Sequence, residues 1–126
     1  MADQREQPLF RLLVYSYLAG KPMRTRTVNN TFAVLVRKGY VTPEALLAAG
    51  YDKLVEALDE GGYARLDEVA SRRLLELSAR LRKEYGSMAA LVARPDLNTA
   101  LQTFKGIGPV TARIFCEGLE RLHDDG

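Results

Sequence analysis

The stretch Phe104-Lys-Gly-Ile-Gly-Pro-Val-Thr-Ala-Arg-Ile-Phe115 sets Gly106 and Gly108 around one apolar residue and follows them at once with Pro109. Glycine at both positions allows positive φ and removes the Cβ atoms, so the turn is expected to be tight and open to close approach by another backbone. Proline suits the first position of a helix. The opening N–H groups of that helix have no intrahelical acceptor, and the dipole makes phosphate the ligand they favour. Lys105 adds a positive charge before the glycines and Arg113 another after them. The candidate contacts are thus Lys105, Gly106, Ile107, Gly108, Val110, Thr111 and Arg113. The bland alternative is a glycine turn that only closes a helical hairpin. A Rossmann or P-loop reading fits worse, because both need a strand ahead of the glycines and LNTALQTF has helical period, while the P-loop Lys-Ser/Thr pair is absent.

Two other places carry chemistry. Lys21, Arg24 and Arg26 lie in a basic connection, GKPMRTR, that suits phosphate contact or is a solvated loop. Tyr63, in GGYARL, is placed either to stack on a base or to sit as an ordinary half-buried aromatic. Arg72, Arg73, Arg80, Arg82 and Lys83 alternate with Glu76 and Glu84 and read as a solvated helix face. Cys116 is the only cysteine, which excludes internal disulfides and four-thiolate zinc or iron-sulfur sites. His123 is the only histidine, so no His-rich metal site is expected.

The elements that must hold these residues are helical throughout. Phe10, Leu13, Val14, Tyr17 and Leu18 keep the i, i+3, i+4, i+7, i+8 spacing up to Gly20, and Val28, Phe32, Leu35 and Val36 mark a second helix ending at Gly39. Thr42 before Pro43 predicts a capped short helix closing at Gly50, and a further one runs from Tyr51 to Gly61. The longest is expected from Leu66 to Tyr85, closed by Gly86. Ser87 caps a brief helix before Pro95, Asp96 is placed to cap another, and the last begins at Pro109 and carries Leu119 and Leu122 on its apolar stripe. Seven or eight short helices predict one all-α domain over residues 1–126, with 1–7 flexible. With 126 residues, 47% apolar, 27% charged and a net charge of +2, the chain has the balance of a cytoplasmic globular protein without a membrane span. The polar start MADQREQ does not read as a signal peptide.

The segment LQTFKGIGPVTARIF resembles the helix-hairpin-helix of the endonuclease III-like DNA glycosylase superfamily, whose pattern is apolar-x-Gly-apolar-Gly-x-x-Thr-Ala-x-x-apolar. Upstream, LFRLLVYSYLAG and TRTVNNTFAVLVRKG take the places of the family's first two barrel helices, so the resemblance runs from about Pro8 to Leu122. It implies a six-helix barrel, double-stranded DNA as partner, a role in base-excision repair, and a second protein completing the cleft, because no C-terminal half follows. It allows a monovalent cation at the hairpin and, with one cysteine, no iron-sulfur cluster. Where lyase members carry a Schiff-base lysine this chain has Val110, and the family's wedge glutamine is replaced by Lys21. The family's essential aspartate leaves only Asp124 and Asp125 as catalytic candidates, slightly early in the chain. Three functions follow: non-specific duplex binding through the hairpin, a monofunctional DNA N-glycosylase without lyase chemistry, and a non-catalytic protein-interaction module.

Overall fold

The structure is a computed structural model, and it describes residues 5–125, with the side chains of 5–123. It is all-α. In chain order the α-helices are α1 (Glu6–Ala19), α2 (Thr25–Lys38), α3 (Pro43–Glu60), α4 (Asp67–Arg80), α5 (Met88–Val92), α6 (Leu97–Gln102) and α7 (Pro109–Asp125). A 3₁₀ turn at Ala64–Leu66 leads into α4, and a π turn at Leu81–Tyr85 continues it as far as Gly86. The single long helix expected over 66–85 is therefore three pieces. The two short helices expected on either side of Gly50 run as one element kinked at that glycine, whose φ is 81° and ψ 178°.

Local signals set the boundaries. Thr42 Oγ1 accepts from the Ala45 N–H and Ser87 Oγ from the Ala90 N–H, each at 3.0 Å, as N-caps should. Asp96 does not cap α6 with its side chain, because both its carboxylate oxygens accept from the Arg94 guanidinium, at 2.7 and 2.9 Å. Residues 6 and 7 are not a loose tail: Glu6 opens α1, and its carboxylate accepts from the Met88 and Ala89 N–H groups at 2.7 and 2.8 Å. A carboxylate at the start of α5 satisfies donors that the helix leaves unpaired and meets the positive end of its dipole.

Helix α1 is the axis of the bundle. Leu9, Phe10, Leu13, Val14, Tyr17 and Leu18 are all buried on it, and it packs against α2, α5 and α7. Helix α3 packs along α4, α2 against α3, and α6 against α7. Burying side chains of this size is worth about 1.5–3 kcal/mol each. Helix α7 approaches α1 closely at Gly118, where an added Cβ would lie 2.5 Å from Leu12 Cδ1. The apolar stripe of α7 stops short of its end, since Leu122 is exposed. No helix among the described residues is long and apolar enough to cross a membrane.

Candidate nucleic-acid interface

The hairpin between α6 and α7 is built from short-range bonds. The Ile107 N–H donates to the Phe104 carbonyl at 3.1 Å, and the Ala112 N–H to the Gly108 carbonyl at 3.0 Å. With the first helical bond of α7 starting at Gly108, the N–H groups of Gly108, Val110 and Thr111 precede any intrahelical acceptor, and Pro109 has none to offer. The helix behind them is 17 residues long. Phe104 and Ile107 anchor the turn in the core, and Val110 is 51% exposed beside it.

The two glycines do different work. Gly106 has φ 87°, and a Cβ there would meet Tyr17 Cε1 at 3.0 Å and the Arg73 stem at 3.3 Å. Gly108 has no positive φ, and a Cβ built on it meets nothing within 4 Å. The expectation of positive φ at both is thus corrected: the fold requires glycine at 106, whereas Gly108, just ahead of the α7 amides, has neither positive φ nor a crowded Cβ position.

Lys21 is the second part of the site. Its Nζ donates to the Gly106 carbonyl, 85 residues away in sequence, and lies 4.8 Å from the centre of the Tyr17 ring. Burial, and then the positive charge of Arg73, lowers the Lys21 pKa. One ammonium donor is therefore used to hold the hairpin, so Lys21 is not simply part of a solvated loop, and only its other two donors are open to a phosphate. The resemblance allows a monovalent cation at this hairpin, but the Gly106 carbonyl already faces an ammonium. A second cation there would be repelled, so the residues present do not fit one.

Lys21 also draws the α1–α2 connection to the hairpin. Arg24, three residues on, is exposed at the N-cap of α2. Arg26 is exposed too, but in the first turn of α2 and not in the loop. Arginine beside the positive end of a helix dipole is unfavourable in isolation and is offset by an anion. Lys105 and Arg113 are 73% and 67% exposed, with loose ion pairs of 3.9 Å to Glu76 and 4.0 Å to Glu117. Such exposed pairs are weak and easily exchanged for phosphate.

Three sequence candidates do not face outward. Tyr63 is 0% exposed, and its hydroxyl donates to the Leu18 carbonyl at 2.9 Å, so it neither stacks on a base nor wedges into a duplex. It satisfies a carbonyl that the last turn of α1 leaves unpaired. Ile107 is buried in the core. The Thr111 side chain is buried against Gly20, where an added Cβ would stand 2.0 Å from Thr111 Oγ1, so only its backbone is available to a ligand. The side chains of Asp124 and Asp125 lie outside the described residues.

Two arginines assigned to a solvated face belong to this end of the molecule. Arg73 packs its stem on Gly106 and donates to Glu76 at 3.0 Å. Arg80 lies 4.3 Å from the Phe104 ring centre and donates to Thr103 Oγ1 at 2.8 Å. The signal was present in their spacing: Arg73, Glu76 and Arg80 stand at i, i+3 and i+7 and so share one face of α4. No protein-family model matches this chain, and neither a curated protein nor a solved structure does.

Proposed function

We propose that this chain is a DNA-binding domain of the base-excision-repair type that holds duplex phosphates at the α6–α7 hairpin without reading sequence. The observation that carries this reading is Gly108, which precedes the unpaired α7 amides and whose Cβ position is open, with exposed Lys105 and Arg113 on either side of it in sequence and exposed Arg24 three residues after Lys21, which holds the Gly106 carbonyl. Backbone donors, a helix dipole and mobile cations recognise phosphate oxygens, and phosphate contacts position a protein on DNA without specifying bases. Tyr63, the one aromatic proposed to reach a base, is in the core, which fits a grip on phosphates.

A fluorescence titration of a labelled duplex over a range of salt concentrations tests it. Three to five phosphate contacts predict that log affinity falls with log salt at a slope of roughly −3 to −4, as neutralised phosphates release counterions. Scrambling the duplex sequence should leave affinity unchanged. A flat salt response overturns the reading and favours a protein-interaction module.

Lyase chemistry is expected to be absent. It needs an amine that attacks the sugar C1′ and forms an imine that borohydride traps, and Val110 has none. Incubation with an abasic-site duplex and borohydride should therefore leave no covalent adduct. Lys21, whose pKa is lowered by burial, is held on the Gly106 carbonyl. An adduct that disappears in Lys21→Met would make it the nucleophile and reverse this expectation.

A further inference from the structure

We propose that the groove between α1, α2 and the far half of α7 docks an acidic amphipathic helix of a partner protein. The groove encloses about 500 Å³. Its floor and walls include Leu12, Tyr15, Phe32 and Leu122, with Arg11 and Arg121 along it and no carboxylate among the described residues of its lining. Tyr15 and Phe32 meet edge to face, with ring centres 5.5 Å apart, and Leu122 is 39% exposed at the rim.

Charge decides the occupant. Arg11 Nε is buried and has no hydrogen-bond partner among the described residues, a state that native structures seldom leave uncompensated. Neither Arg11 nor Arg121 has an ion-pair partner among the described residues. Two guanidiniums without an ion-pair partner among the described residues, lining an apolar trough, fit carboxylates interleaved with leucine-like side chains, because Arg binds carboxylate with two parallel donors and the trough takes the apolar side chains between. An open trough flanked by two packed helices accepts the ridge of a third. A duplex backbone would cover the arginines and leave Phe32 and Leu122 in water. The groove is also remote from the hairpin: Arg121 stands 12 residues beyond Pro109, about 18 Å along α7. Both ligands can bind at once, and this inference does not rest on the DNA reading.

The test uses the full chain and a fluorescein-labelled synthetic helix of about four turns. The helix carries Leu at i, i+3 and i+7 and Glu at i+4 and i+8, and a control carries Lys in place of Glu. Anisotropy should show saturable binding of the acidic helix and binding about tenfold or more weaker for the Lys control. Arg11→Met and Arg121→Met should each weaken the acidic helix about tenfold, and Leu122→Glu, at an exposed position, should abolish binding. Arg121 is exposed, so Arg121→Met keeps the test valid if Arg11→Met fails to fold. Gly108→Val should retain peptide binding while losing DNA, which separates this surface from the hairpin. Equal binding of the two peptides, or no binding of either, overturns the proposal. So does a fall in duplex affinity in Arg121→Met with no change in peptide affinity, which would make the groove a DNA surface. A dimer in sedimentation that Leu122→Glu disperses would instead make the occupant a second copy of this chain.

Discussion

Gly108→Val is expected to lower duplex affinity about 10- to 100-fold, the worth of one or two hydrogen bonds to a charged oxygen, while the protein stays folded. A Cβ at 108 meets no atom within 4 Å apart from its immediate chain neighbours, so a side chain there is not crowded by the rest of the fold. On the proposed reading it obstructs a phosphate that approaches the α7 amides, which Gly108 immediately precedes. The fold should lose only about 1 kcal/mol, the cost of a poor N-cap residue. Gly106→Val should behave in the opposite order. A side chain there needs φ near 87° and presses on Tyr17 and Arg73, so stability should fall by about 2–4 kcal/mol, with strained backbone and overpacking together. Thermal melts followed by circular dichroism, beside duplex titrations of both variants, check the pair. Normal DNA binding by a folded Gly108→Val protein would reduce the hairpin to a structural turn.

Tyr63→Ala is expected to cost about 3–5 kcal/mol, the range for truncating a buried aromatic, and so to lower the melting temperature by about 10–20 °C for a domain of this size. The ring fills space at the junction of the α3–α4 loop and the end of α1, and its hydroxyl satisfies the Leu18 carbonyl. Tyr63→Phe keeps the ring and should cost about 1–3 kcal/mol, because that carbonyl is left buried without its donor. A pH series gives an independent reading. Burial, and then the neighbouring Tyr17, raises the Tyr63 pKa; burial raises that of Tyr17 as well, against the lowering effect of Arg73. The unfolded chain ionises these phenols near pH 10 while the folded one keeps them protonated. Their contribution is therefore complete below about pH 10 and is lost as pH rises from there toward the folded values. The parent should lose stability steeply above pH 10, and Tyr63→Phe should lose it less steeply. An alkaline limb unchanged in Tyr63→Phe would contradict the burial of this phenol.

The helices were legible along the chain because each is announced by neighbours a few residues apart. The apolar stripe of α1 repeats every three or four residues, and the Thr42 and Ser87 caps and the turns at Gly39 and Gly86, at φ 80° and 82°, are closed by bonds spanning three to five residues. The hairpin is equally local, and so its turn and the start of α7 at Pro109 could be read in order from FKGIGPVTARIF. What each side chain then faces is decided by elements far apart in sequence. Tyr63 reads the same whether it is aimed at a base or at the Leu18 carbonyl, 45 residues away, and only the packing of the α3–α4 loop on α1 places it in the core. Lys21 and Arg73 look like surface cations until the fold sets one on the Gly106 carbonyl and the other against the Gly106 backbone. Gly106 and Gly108 are identical as letters. They part because Tyr17 and Arg73 crowd the first, while the second faces open space, and that difference is a property of three helices meeting at one end of the bundle.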